Sequence, residues 1–267
     1  TGARSTVWDT AFAGQALVAA APHVDGLQSV LRKTEKALRG EQIIKNHGGE
    51  GQFYRLDPTG GYGFCGAWHG WPVSDCTAEA LSARLQIGQA DPEDLERAVQ
   101  CILRAENPRG GFGSYESRRV DVSLEWFNPA EMFGDSMTER GYAECTASCL
   151  MALSEYAHAY PEEKTPRIER ALKKGVALLK DTQRSDGSFE GNWGVSFIYG
   201  TMFGIRGLLA GGVPQHDPAI RRACRWLLDR QLADGSWGEK HLAGNAHYVE
   251  HTEGQATQTA WALMGLL

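Results

Sequence analysis

Residues Arg222–Gly238 read RACRWLLDRQLADGSWG, and this stretch decides the architecture. A helical run with charged residues between its apolar positions is followed by Gln231, a tight Asp-Gly turn and Trp237. The same order recurs at Lys174–Phe189, KGVALLKDTQRSDGSF, and in degenerate form at Arg97–Gly113, RAVQCILRAENPRGGFG. A weaker copy ends at Gly61–Phe64, GYGF. The closing aromatics are read as Phe64, Phe112, Phe189 and Trp237, spaced 48, 77 and 48 apart, which predicts an insertion of about 29 residues between Tyr115 and Thr138.

A second helical pattern alternates with the first. It appears at Trp8–Leu17 (WDTAFAGQAL), Asp75–Leu85 (DCTAEALSARL), Glu144–Leu153 (ECTASCLMAL), Gly200–Leu209 (GTMFGIRGLL) and Thr257–Leu267 (TQTAWALMGLL). These runs are apolar, rich in small residues and nearly free of Lys, the composition of helices buried on most sides. The chain therefore reads as helix pairs, one member buried and one facing solvent. A flat stack of five such pairs would expose a row of small apolar helices. A closed double ring hides them and leaves a central space. The predicted fold is all-α, an α/α-toroid or a large arc of one. The Gln–Gly–aromatic turns fasten neighbouring helices, a stability role.

Composition agrees. Of 267 residues, 42% are hydrophobic and 22% charged, so the chain is globular. Glycine, 32 residues, is in excess without a Gly-X-Y period, as many tight turns require. The net charge of −6 argues against nucleic acid as a partner. No apolar run approaches the roughly 18 residues of a membrane span. Six cysteines without a CxxC pair point to a reduced compartment. The chain begins close to one helical pattern and ends inside another, so residues 1–267 are expected to be a toroid portion incomplete at both ends.

Asp75 is the sharpest chemical signal. It opens a buried helix in WPVSDCTAEAL, among aromatics (Trp8, Phe64, Trp68, Trp71) and with no evident cationic partner. One reading is an N-cap that accepts a backbone N–H. Glu144-Cys145-Thr146 echoes Asp75-Cys76-Thr77 on another helix. His247 and His251 have i, i+4 spacing but no third ligand in view, and a polar loop is favoured over a metal site.

Several motifs together resemble the oxidosqualene cyclases of the terpene cyclase/mutase family. They are HGWPVSDCTAEAL at His69, WDTAFAGQAL at Trp8, GGFGSYE at Gly110, EWFNPAEMFGDSMTERGYAECTAS at Glu125 and DGSFEGNWGVSFIYGTMFG at Asp186. The Gln–Gly–aromatic turns resemble the QW repeats of that superfamily. The resemblance covers essentially the whole chain and corresponds to a central-to-C-terminal portion of a larger triterpene cyclase.

The resemblance implies a cofactor-free, metal-free isomerase of sterol biosynthesis. It would protonate the epoxide of 2,3-oxidosqualene and guide a cationic polycyclisation to a lanosterol- or cycloartenol-type skeleton. Asp75 would be the proton donor. A free Asp with a pKa of ~3.9 is protonated about once in 10³ at pH 7, so keeping its proton takes ~4 kcal/mol. An apolar pocket supplies that by desolvation. Hydrogen bonds to the second carboxyl oxygen then restore acidity. The resemblance gives that task to Cys76 and Cys145, which could otherwise be buried core thiols. Glu79, one turn after Asp75, would help reprotonate it through water, and the alternative is a surface salt bridge. Trp8, Phe64, Phe133, Trp193 and Tyr115 would line the cavity and stabilise cations, or else serve as core aromatics. Tyr115 could also help take the final proton. His69 and Val73 match positions that influence which proton is lost, and their combination is mixed, so it does not name the product.

Two other readings remain. A squalene–hopene-type cyclase uses an acid-rich DxDDTA motif, whereas the matching stretch here is Val73-Ser74-Asp75-Cys76-Thr77-Ala78. A non-catalytic toroid fragment could bind an apolar ligand. By resemblance the full-length protein would sit on one membrane leaflet, at a cytoplasmic or endoplasmic-reticulum face.

Overall fold

The structure is a computed structural model that describes residues 4–46, 48, 55–118, 124–129, 137–163, 165–241 and 247–267. Phe133 lies outside the described residues. Among the described residues there is no β-strand, only isolated bridges joining Glu106 to Phe112 and Glu239 to Glu250.

Among the described residues five helices form the inner layer: α1 (Thr6–Ala20), α3 (Ser74–Ile87), α5 (Ala143–Ala159), α7 (Ser196–Ala210) and α9 (Ala256–Leu266). Each packs on the next. Four outer helices alternate with them: α2 (Gln28–Gly40), α4 (Pro92–Arg104), α6 (Pro166–Thr182) and α8 (Pro218–Leu228). The sequence pattern of helix pairs is thus realised as four complete pairs followed by a fifth inner helix. The two layers have different residues for a physical reason. Outer helices bury one stripe, such as Ile168, Ala171, Gly175 and Leu179 on α6. The three central inner helices, α3, α5 and α7, are covered on nearly all sides, and small residues let them approach closely; α1 and α9, at the two ends of the layer, bury only three residues each, so the expectation of burial on most sides fails for those two runs. A Cβ on Gly207 of α7 would sit 2.7 Å from the Cβ of Ala147 on α5.

The layers also start differently. α4, α6 and α8 open with a side-chain cap and a proline: Asp91-Pro92, Thr165-Pro166 and Asp217-Pro218. No inner helix has a side-chain cap of its own. Segments from elsewhere serve its entrance. In each repeat a buried aromatic donates its backbone N–H to a threonine hydroxyl on the next inner helix: Tyr62 to Thr77, Phe112 to Thr146, Phe189 to Thr201 and Trp237 to Thr259, at 2.9 to 3.0 Å. This corrects the repeat register read from sequence. The first closing aromatic is Tyr62, which is fully buried, and not Phe64, which is half-exposed. The GYGF run offers two aromatics, and only the threonine contact distinguishes them.

The Gln–Gly turns do fasten neighbours. Gln183 donates to the Gly187 and Ala219 carbonyls, and Gln42 to those of Gly60 and Asp94. Gly187 has φ +98°, and a Cβ there would lie 2.7 Å from the Arg222 carbonyl oxygen. Only glycine satisfies both constraints. Under the first turn, buried Arg84 of α3 is held by Glu35 of α2 at 2.8 Å, Asp94 of α4 at 3.1 Å and the Tyr62 hydroxyl at 2.9 Å. All six cysteines are free thiols.

The inner layer curves until its two ends meet. The Phe12 ring of α1 packs edge-on against Trp261 of α9, centroids 6.3 Å apart. Trp261 also contacts Tyr199 and Phe203 of α7. All five inner helices turn their N-termini to the same side, and there a cavity opens.

Candidate active site

The cavity has a volume of about 570 Å³. Its wall is built from the first turns of the inner helices and the loops that enter them. Trp8, Asp75, Tyr199, Thr257, Gln258 and Trp261 come from helices, and Phe64, Val73, Ser114, Tyr115, Trp193, Gly194 and Val195 from loops. Six of the thirteen lining residues are aromatic, and among the described residues Asp75 supplies the one carboxyl group of the wall.

Asp75 is the second residue of α3 and is 5% exposed. Its Oδ1 accepts the Cys76 backbone N–H at 2.7 Å, but Asp75 is not the N-cap, a position held by Val73 without a side-chain cap. Its Oδ2 accepts the Cys145 thiol at 3.4 Å. Burial pushes the carboxyl above its ordinary value, while hydrogen bonds from the Cys145 thiol and from the Cys76 backbone and thiol pull the other way. Burial also pushes both thiols well above their ordinary range, so each keeps its proton to donate. Burial thus favours the protonated carboxyl, while its conjugate base has donors waiting. The positive end of the α3 dipole favours that base too.

Glu144 is the repeat counterpart of Asp75, two residues before its threonine as Asp75 is before Thr77. Its task differs. Glu144 Oε1 accepts the Trp193 backbone N–H at 2.8 Å and that of Asn192 as well, holding the loop that carries Trp193. Burial raises its pKa to about 7.

Glu79 is buried, 3% exposed, and is not on the surface. Its carboxylate accepts Gln15 Nε2 and Ser148 Oγ, both at 2.7 Å. Burial raises its pKa, and the Arg206 charge counters this.

The structure brings Trp8, Phe64, Val73, Asp75, Tyr115 and Trp193 to one cavity, with Cys76 and Cys145 against Asp75. It does not bring His69 there. His69 ends an exposed 3₁₀ turn, Ala67–His69, with its ring against Trp68. Gly70, in the left-handed conformation, and Trp71 turn the chain before Val73 enters the wall. Sequence reasoning missed Ser114, Tyr199, Gln258 and Trp261 as lining residues. The register of the inner helices could have found Tyr199, since it occupies the position of Asp75 and Glu144. It also missed Glu139, whose carboxylate accepts the Ser114 and Tyr115 backbone N–H groups at 2.9 Å and fixes that loop.

Among the described residues no three His, Cys, Asp or Glu side chains converge as metal ligands. The His251 ring is turned onto the Glu253 backbone.

Inner helices that curve around a cavity, with outer helices alternating outside them, form the α/α-toroid of terpene cyclases. The comparisons agree: the profile of the Squalene-hopene cyclase C-terminal domain matches residues 4–267, and the chain belongs to that family. It is 39% identical to human lanosterol synthase over 277 aligned residues, covering 98% of this chain and 38% of that protein. It is 38% identical to a lanosterol synthase of Aspergillus fumigatus, covering 98% of this chain and 36% of that protein. The chain thus spans little more than a third of the length of these relatives. The ent-copalyl diphosphate synthase of Streptomyces platensis superposes with a TM-score of 0.67 at 20% identity, covering 98% of this chain and 39% of that one, which shows the shared fold.

Proposed function

We propose that the protein containing this chain is an oxidosqualene cyclase, an isomerase acting on 2,3-oxidosqualene. The observation that carries the reading is Asp75: a buried carboxyl at the wall of a cavity rich in aromatics, with the Cys76 N–H on one oxygen, the Cys145 thiol on the other and no second acid adjacent in the motif. A lone acid assisted by thiols suits an epoxide, which is more basic than an alkene. The first and third acids of the DxDDTA motif of squalene–hopene-type cyclases are Val73 and Cys76 here.

The proton on Asp75 passes to the epoxide oxygen as the adjacent C–O bond breaks. The π pair of the neighbouring double bond forms the first new C–C bond, and the cation moves to the next carbon. The Cys145 thiol and the Cys76 N–H hold the carboxylate left behind. Trp8, Phe64, Trp193 and Trp261 offer the migrating cation π-systems without a carboxylate or hydroxyl that would trap it. A final C–H proton loss closes the reaction, with Tyr115 near the acceptor. Glu79, on the same face of α3 and one turn below, returns a proton to Asp75 through water. The complete protein sits on one membrane leaflet and draws its apolar substrate from the lipid. Among the described residues no helix is long and apolar enough to cross a membrane.

The test is to incubate the purified whole protein with 2,3-oxidosqualene and analyse products by gas chromatography and mass spectrometry. A tetracyclic alcohol from the native protein and none from Asp75→Asn is the expected result. Product from squalene instead would favour the squalene–hopene type. No turnover of either substrate would overturn the reading in favour of an apolar-ligand-binding toroid.

A further inference from the structure

Ser114 is 2% exposed and stands between two residues already placed at the site. The Trp193 indole Nε1 reaches Ser114 Oγ at 2.6 Å. Ser114 Oγ lies 3.6 Å from Cys145 Sγ, and Cys145 Sγ lies 3.4 Å from Asp75 Oδ2. The direction of this chain is fixed from its outer end. An indole N–H can only donate, so Ser114 Oγ must accept from it. The single hydroxyl proton is then free to point at Cys145. The thiol, receiving that proton on sulfur, points its own at Asp75.

We propose that Ser114 is a positioning residue for the acid, orienting the Cys145 thiol towards Asp75 through a relay that runs Trp193 N–H, Ser114 O–H, Cys145 S–H, Asp75 Oδ2. The inference rests on the cyclase reading for its kinetic consequence, but the relay itself does not depend on any substrate.

Two further contacts show that Ser114 is held to this task. Its backbone N–H is taken by Glu139 at 2.9 Å, and its carbonyl accepts the N–H of Ser74, the residue before Asp75, at 2.8 Å. The donor helix and the relay serine are therefore tied together. Three aligned hydrogen bonds polarise one another, so the last is stronger than an isolated thiol–carboxyl contact. The relay also gives Trp193 a second function. Its ring faces the cavity while its N–H sets the hydroxyl.

The titratable groups around Asp75 are Cys76 and Glu79 on α3, Glu144, Cys145 and Cys149 on α5, Tyr199 on α7, and Tyr115 and Glu139 on the entering loops. Each of them, when ionised, is an anion.

The experiment compares the whole protein with Ser114→Ala, Ser114→Thr and Trp193→Phe. The infrared S–H stretch of Cys145, assigned by difference against Cys145→Ala, reads the thiol's hydrogen bonding directly. The band is expected to shift in Ser114→Ala and in Trp193→Phe and to return in Ser114→Thr, which restores the hydroxyl. Turnover of oxidosqualene by Ser114→Ala should fall roughly 10-fold, with Ser114→Thr within about 3-fold of the native rate. The high-pH limb of its activity should move upward, because a carboxylate that has lost a donor holds its proton more tightly. A packing defect would lower the rate without moving the band or the limb. An unchanged S–H band in Ser114→Ala would overturn the relay, even if turnover fell. A shifted band in a protein that turns over no oxidosqualene would leave the relay standing and sink the cyclase reading.

Discussion

The Cys145 thiol of α5 donates to Asp75 Oδ2 of α3 at 3.4 Å, from 70 residues further along the chain. The two helices carry the same local motif, and packing brings the second copy's cysteine onto the first copy's acid. The second copy's own acid, Glu144, is turned instead to the backbone of the Trp193 loop. The repeat has therefore diverged, one copy placing its acid at the cavity and the other supplying a thiol donor and a scaffold.

Asp75→Asn removes the transferable proton and keeps the shape. Product formation should fall at least roughly 10³-fold. The folded carboxyl has its pKa raised by burial, so its contribution to stability is complete below the unfolded value and is lost as pH rises towards the folded one. At neutral pH the Asn variant should therefore melt at a higher temperature than the native protein. A lower melting temperature with activity lost would mean that the substitution had damaged the fold.

Glu144 titrates in the folded protein at about 7, against an ordinary value of 4.5. The folded state binds more protons between those values, so stability should fall by about 3 kcal/mol as pH rises from 4.5 to 7 on account of this group. Glu144→Gln keeps an oxygen for the Trp193 N–H and removes the charge. Denaturant unfolding at a series of pH values should show a shallower decline for the variant, and identical slopes would refute the assignment.

Trp261 joins the two ends of the inner ring and faces the cavity. Trp261→Leu should lower turnover by about 3- to 30-fold, the range for losing one cation–π contact of ~0.5–2 kcal/mol. It should also raise the share of incompletely cyclised products, measured by mass spectrometry. Trp261→Phe should lie between the two.

The turn glycines make a stability comparison. Gly187→Ala and Gly235→Ala both place a side chain at positive φ, +98° and +86°, which costs roughly 1–2 kcal/mol. The first also drives a Cβ to 2.7 Å from the Arg222 carbonyl oxygen, whereas the second meets only Gln231 Nε2 at 3.9 Å. Thermal melts should show Gly187→Ala as clearly the more damaging. Equal losses would mean that the turn does not clamp α8.

Much of this was legible along the chain. The two kinds of helix differ in local composition, and the inner runs at Asp75, Glu144, Gly200 and Thr257 fall inside helices of the structure. Asp75 and Cys76 are neighbours in one motif, so their association needed no tertiary information. His69 looked equally close to Asp75, six residues away. The left-handed Gly70 turns the intervening chain so that the histidine faces outward while Val73 faces the cavity.

Sequence alone determined the alternation of the two kinds of helix, the turns that clamp them and the motif that carries Asp75, because each depends on residues within a helical turn or two of one another. Tertiary structure decided which groups surround that acid. Whether Glu79 met water or Ser148, which of Tyr62 and Phe64 entered the core, and whether Ser114 could reach both Trp193 and Cys145 all depend on how the helices curve into a ring. That curvature arises from contacts between segments far apart in the chain, which no local pattern encodes.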